Sequence, residues 1–399
     1  MRVRLLKILD ATAGFFLCWA TGYCLHLFKN GSAGTPRPTG IRELSQGRAK
    51  PPAEPGFFRQ AAGEVRRILV IRPGGMGDMI LLQPMLKSLR QHYPAAKIDL
   101  VCEKRNREIP TLAGASVRVL LYDAFPFRLL FQLWRGRYDI AIDAEQFHYF
   151  SAVMAMLSRA PVRVGFKINP GRNTLYTHLV NYNLEGYEAA EFMRLLVPLG
   201  IQDEAVVQGC LTIPGSGQAQ SRSLVIHVGA STRYKHWENG NTVELVKRLS
   251  SLATTGDVIL VGGRSEALVA ERIAQEAAVG DRVKSLAGRL TLQQTAEVIG
   301  HAALFIGGDS GLAHLAVALG TPTVVMFGPS DHKKWGVESS RNVVVRKALA
   351  CAPCFIFGYH KFCHSIACMS GITVDDVMAG VSSVSFDRIS SSRSDSSSR

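Results

Sequence analysis

Phe305-Ile306-Gly307-Gly308-Asp309-Ser310-Gly311-Leu312-Ala313-His314 carries the chain from an apolar strand into the first turn of a helix. Residues 304–306 read as the end of a buried strand, and the apolar run 312–319 reads as the helix that follows. Gly307 and Gly308 are expected to make a tight turn close to a ligand. The N–H groups at such a helix start have no partner within the helix, so they would face a phosphate. Asp309 and Ser310 each suit two roles, capping the helix or touching a ligand, and this stretch alone does not choose between them.

Outward from this junction, strand and helix patterns alternate along the chain. Strands are expected at 68–71, 98–101, 117–122 and 139–143, with helices at 78–92 and 127–135. A second series places strands at 224–228, 258–261, 283–286, 304–306 and 323–327, and helices at 241–252, 265–278, 292–301 and 311–319. Alternation of this kind implies parallel sheets with right-handed crossovers. Two series imply an α/β chain of two Rossmann-like, doubly wound domains with a cleft between them at the carboxyl ends of the strands.

The chain has 399 residues, 47% hydrophobic and 20% charged, which suits two globular cores and excludes disorder throughout. A net charge of +14 favours an anionic partner. No RNP-type aromatic signature, C2H2 finger or basic heptad array is present, so nucleic acid is not expected. The segment 1–29 is basic and then apolar, and reads as membrane-associating: an interfacial anchor first, a true span second. Residues 30–56 read as a linker rich in Gly, Pro and charge, and 382–399 as a disordered Ser-rich tail. The domains are expected at 57–208 and 220–345, with a Cys-rich segment and return helix over 346–381.

Several loops follow strand ends. Arg72-Pro73-Gly74-Gly75-Met76-Gly77-Asp78 precedes a helix, and its Gly75, Met76 and Gly77 would let a ligand approach the backbone. A dinucleotide fingerprint would need a small residue where Ile80 stands, and no Gly-Lys-Ser/Thr follows, so NAD and ATP are disfavoured here. Asp78 would cap that helix or present a base. In Gly229-Ala230-Ser231-Thr232-Arg233-Tyr234-Lys235-His236-Trp237, the hydroxyls of Ser231 and Thr232 and the charge of Lys235 suit a diphosphate, or else form a solvated loop. Gly262, Gly263 and Glu266 form a third loop, which serves as a plain turn or lets a nucleoside pass closely.

Taken together, these motifs resemble glycosyltransferase family 9, the lipopolysaccharide heptosyltransferases. The family's N-terminal signature is matched by Met76-Gly77-Asp78-Met79-Ile80-Leu81-Leu82-Gln83-Pro84-Met85-Leu86. Its nucleotide-side signatures are matched by Lys235-His236-Trp237 and Asp309-Ser310-Gly311-Leu312-Ala313-His314, and the likeness covers about 67–377. The resemblance implies a GT-B fold and a metal-independent, inverting transfer. It implies Asp78 as general base, Lys235 on the donor phosphates with Ser231 and Thr232 beside it, and Asp309 orienting the donor sugar. It also implies a diphosphate turn at Ser310, Gly311, Leu312 and His314. Where the family carries an acid in the third loop, this chain aligns Arg264, with Glu266 two residues later.

The implied reaction moves a heptose from an ADP-heptose-type donor to a lipid-linked anionic saccharide of the lipopolysaccharide core. It would occur at the cytoplasmic face of the inner membrane, with the protein peripheral or N-terminally anchored. Three alternatives stand beside it: another sugar or a protein acceptor, a nicotinamide-dependent oxidoreductase, and an inactive membrane-tethered binding protein. No cofactor is expected for catalysis. Cys351, Cys354, Cys363 and Cys368 crowd into one segment and would hold a structural Zn or Fe, or remain thiols.

Overall fold

The computed structural model describes residues 65–384 apart from 125, 214–221, 253–255, 357–358, 361–362 and 364. The apolar segment 1–29, the linker 30–56 and most of the Ser-rich tail lie outside the described residues. The chain divides into two compact units between Val207 and Gln208.

The first unit holds one six-stranded parallel sheet made of β1 (Arg67–Ile71), β2 (Lys97–Cys102), β3 (Val117–Leu121), β4 (Ile140–Asp143), β5 (Val162–Lys167) and β6 (His178–Asn181), in the order β3-β2-β1-β4-β5-β6. The central strands read RILVI and IAID and are almost wholly buried, as strands covered by helices on both faces must be. One face is covered by the Pro126–Arg135 and Tyr149–Leu157 helices, whose Leu129, Leu133, Ala152 and Met154 pack with Leu69 and Ile71. The expected helix over 78–92 is two helices, Met76–Leu81 and Gln83–His92. Pro84 explains the break, because it has no N–H to give to the turn before it.

The second unit repeats the plan with β7 (Leu224–His227), β8 (Val258–Val261), β9 (Val283–Ser285), β10 (Leu304–Gly308), β11 (Thr323–Phe327) and β12 (Asn342–Arg346), ordered β12-β11-β10-β7-β8-β9. All pairs are parallel, with Ile306 opposite Ile226 and Gly308 opposite Met326. The chain winds outward from β7 in one direction and from β10 in the other. The two central strands therefore flank a switch point, where loops at their carboxyl ends part and leave room for a ligand. Contrary to expectation, Gly307 and Gly308 belong to β10, and the turn is Asp309-Ser310. A Cβ on Gly307 would lie 3.1 Å from the His227 Cβ, so the strand has to be bare there.

The Val374–Ser383 helix returns against β11 and β12 and takes in the first two residues of the stretch read as tail. Trp237 Nε1 donates to the Ile372 carbonyl at 2.9 Å, tying the loop after β7 to the approach of that helix.

Candidate functional site

In the second unit, the loops after β7, β8 and β10 lie along one sheet edge. A short 3-10 turn, Arg233–Lys235, brings Lys235 to the end of β10, where its Nζ meets Asp309 Oδ2 at 2.5 Å. Asp309 is only 7% exposed. Burial by itself would raise its carboxyl, but the Lys235 ammonium and then His314 outweigh that and hold it below the usual range. His314 Nε2 lies 3.8 Å from the other carboxylate oxygen.

The choice left open between Asp309 and Ser310 resolves here. Ser310 is the cap: its backbone is extended and its Oγ accepts from the Ala313 N–H at 3.3 Å. That leaves the Asp309 carboxylate to the ion pair. Gly311 and Leu312 occupy the first turn of the Gly311–Ala318 helix, where N–H groups point out of the helix start. Thr232 holds its Oγ1 buried without a hydrogen-bond partner, an orphan that a ligand oxygen would satisfy. Ser231 is exposed beside it. Lys235 also lies over the Phe355 ring at 4.7 Å.

Gly262 and Gly263 follow β8, as expected, but Glu266 is engaged locally. Its carboxylate accepts from the Gly263 N–H at 2.7 Å and from Ser265 Oγ at 2.6 Å, so in this arrangement it caps its own turn.

One residue escaped the sequence reading. His227 ends β7, with its Nδ1 3.1 Å from Ser310 Oγ. A Cβ on Gly229 would come within 2.8 Å of His227 Nε2 and 2.9 Å of Glu266 Cγ, so His227 sits where the three loops meet. Burial lowers its imidazole to about 4, and the nearby Glu266 offsets only part of that. The signal was a lone polar side chain closing an apolar strand, Leu224-Val225-Ile226-His227.

In the first unit, Asp78 stands in the first turn of the Met76–Leu81 helix, preceded by half-buried Gly75, Met76 and Gly77. It caps and pairs at once: Oδ2 accepts from the Gly75 N–H at 2.9 Å, and Oδ1 accepts from Arg72 Nη2 at 2.7 Å. A Cβ on Gly75 would meet Oδ2 at 3.0 Å, which explains the glycine. Arg72 is 3% exposed, and its Nη1 also reaches the Ala144 carbonyl at 3.0 Å, Glu145 at 3.1 Å and Gln146 at 3.0 Å. Burial disfavours its charge, but Asp78, Glu145 and Glu188 together keep it firmly protonated. Arg72 in turn holds the buried Glu145 ionised, against the upward push of desolvation.

The four clustered cysteines line one cavity of about 30 Å³ together with Tyr234 and Pro329. None of the four forms a disulfide among the described residues. Burial and the neighbouring Cys354, Cys363 and Cys351 push the Cys368 thiol up, whereas N–H groups of Ile366 and Ser365 bring Cys363 down. Among the described residues no three His, Cys, Asp or Glu side chains converge closely enough to hold a metal ion.

The sequence profile described as glycosyltransferase family 9 (heptosyltransferase) matches residues 200–359. Lipopolysaccharide heptosyltransferase 3 of Escherichia coli is 29% identical over 291 residues, covering 65% of this chain and 82% of that protein. These matches make the chain similar to glycosyltransferase family 9. It is therefore a glycosyltransferase, and its fold is GT-B. The fold agrees with the solved E. coli ADP-heptose lipopolysaccharide heptosyltransferase II, at a TM-score of 0.65 and 21% identity, covering 80% of this chain and 98% of that one. An E. coli heptosyltransferase solved with ADP aligns at a TM-score of 0.63 and 20% identity, covering 80% and 100%.

The depressed His227 imidazole implies pH-dependent stability around this candidate site. Protonation is disfavoured in the folded chain, so the stability His227 contributes is complete above its ordinary value of 6.5 and is lost as pH falls toward about 4. Discounted for partial exposure, that loss is on the order of 2 kcal/mol. Denaturant unfolding should show the gap between wild type and His227→Gln changing by this amount across that window. Parallel stability profiles for the two proteins would contradict the assignment.

Proposed function

We propose that this glycosyltransferase moves a heptose from ADP-heptose to a lipopolysaccharide-core acceptor, with inversion at the anomeric carbon. The observation that carries the reading is the Lys235–Asp309 pair at the switch point, beside a helix start and an orphaned Thr232 hydroxyl. Lys235 has three N–H donors and spends one on Asp309, so two remain for a diphosphate. Asp309, kept ionised, would accept hydrogen bonds from donor-sugar hydroxyls, and His314 would extend the polar wall. The relatives named as lipopolysaccharide heptosyltransferases and the neighbour solved with ADP support the choice of sugar and nucleotide.

In the proposed step, Asp78 takes the proton of the acceptor hydroxyl as that oxygen attacks the anomeric carbon. The bond from that carbon to the diphosphate oxygen breaks, and the nucleoside diphosphate leaves with the electron pair. Lys235 and the helix start stabilise its charge. Arg72 anchors the Asp78 carboxylate, which is bonded once at each oxygen and still has lone pairs free to accept. No step needs a metal or a redox cofactor.

Action at the cytoplasmic face of the inner membrane, by a peripheral or N-terminally anchored protein, belongs to the same proposal. No helix among the described residues is long and apolar enough to cross a membrane. Another sugar or a protein acceptor is the second reading, because nothing in the Lys235–Asp309 geometry distinguishes among acceptors.

A structural Zn or Fe at Cys351, Cys354, Cys363 and Cys368 is a separate proposal. It is supported by the shared cavity, and the thiolates would have to close in until each lies about 2.3 Å from the ion.

Asp78→Asn keeps the volume and a hydrogen bond but removes the base. Turnover of ADP-heptose should fall by ~100-fold to 10,000-fold while ADP affinity is unchanged; near-normal turnover would remove Asp78 from the mechanism. Elemental analysis of protein purified without chelator should find one equivalent of Zn or Fe per chain, and no stoichiometric metal would reject the structural ion.

A further inference from the structure

The Pro126–Arg135 helix breaks the usual rule for a surface helix. Its Leu129 and Leu133 point into the core, as the sequence pattern requires, yet its opposite side is also apolar. Phe127, Phe131 and Trp134 are 86%, 56% and 50% exposed, and their spacing of four and then three residues puts them in one stripe. They are the only exposed aromatic side chains among the described residues. Leaving three large rings in water is unfavourable without a partner, and a monomeric protein seldom shows such a patch without one.

The surroundings of the stripe identify the partner's chemistry. No acidic residue occurs from 126 to 137, whereas Arg128, Arg135 and Arg137 do, all exposed. Arg135 lies over the Phe131 ring at 5.5 Å, and Arg159, from the next helix–strand connection, lies over Trp134 at 5.8 Å. The nearest flanking acids are occupied: Asp123 accepts from the Lys104 N–H, and Asp139 from the N–H groups of Arg66 and Arg67. Phe and Trp rings collared by guanidinium groups match the boundary between acyl chains and anionic headgroups: the rings enter the apolar layer and the arginines stay at phosphate depth. A protein partner of ordinary composition would offer acids to the arginines but no matching apolar layer for the whole stripe.

We infer that the Pro126–Arg135 helix is a membrane-docking face that seats the first unit on an anionic lipid bilayer through Phe127, Phe131 and Trp134. This deepens the membrane-surface part of the proposed function but does not require the transfer chemistry to be right.

The test is sedimentation of the full chain with vesicles of phosphatidylcholine alone and of phosphatidylcholine mixed with phosphatidylglycerol. Wild type should bind the anionic vesicles preferentially, less so at high salt. The triple variant Phe127→Ser, Phe131→Ser, Trp134→Ser should lose at least about tenfold in partitioning. Its thermal shift with ADP should remain that of wild type, which shows that it is folded and separates this inference from the donor-site reading. Trp134→Phe supplies a second readout that tolerates no folding ambiguity: the fluorescence it removes should be the fluorescence that brominated acyl chains quench. Unchanged vesicle binding by the triple variant would overturn the inference. So would unquenched Trp134, or equal binding to neutral vesicles. A variant that breaks a dimer while still binding vesicles would make the stripe a contact between copies, and that too would overturn it.

Discussion

A buried carboxylate at the end of β10 needs a cation, and the site follows from how that need is met. Asp309 has little water around it, and its charge survives chiefly because Lys235 reaches across from the loop after β7, with His314 adding to the effect. Removing one partner of such a pair leaves the other uncompensated, which costs far more than the pair itself contributes. The pair therefore fixes the β7 loop against β10 across the switch point and presents an ammonium beside a helix start. Ser310 completes the arrangement by taking over the cap, which frees Asp309 for Lys235. His227, neutral and hydrogen-bonded to that same Ser310, joins the β8 loop to the other two.

The first unit solves a similar problem differently. Arg72 is more deeply buried than Asp309, and it is kept charged by several carboxylates instead of one. Asp78 is its one partner with a partly open face, since Glu145 is almost wholly enclosed. A carboxylate that is anchored and still reachable has the geometry a base needs. In both units a charge that would be costly alone is held by a neighbour and left with one free direction.

The alternation of apolar strands and amphipathic helices was legible because β7, β8, β10 and β11 are continuous apolar runs ended by glycine or a polar residue. The sequence missed β5 and β6, since Val-Arg-Val-Gly-Phe-Lys and His-Leu-Val-Asn are short and mixed in character, and their strand state comes from pairing, β5 with β4 and β6 with β5. Gly307 and Gly308 read as a turn because glycine's backbone freedom is visible in sequence, whereas the close approach of His227 that demands it is not. Asp78, Lys235 and Asp309 were singled out from their places after strands. Their partners were hidden: Arg72 precedes Asp78 by six residues, and Lys235 and Asp309 are 74 apart. The outward aromatics of the Pro126–Arg135 helix were visible as letters, but periodicity alone cannot say which of two apolar faces meets the core.

The central claim is that the pocket around Lys235 and Asp309 binds an ADP-sugar. Titration calorimetry with ADP, ADP-heptose and NADH tests it most directly. ADP-heptose should bind more tightly than ADP, NADH should not bind, and Lys235→Met should abolish measurable affinity for both ADP ligands while the chain remains folded. Binding of NADH in preference to ADP-heptose, or wild-type ADP-heptose affinity in Lys235→Met, would contradict the account.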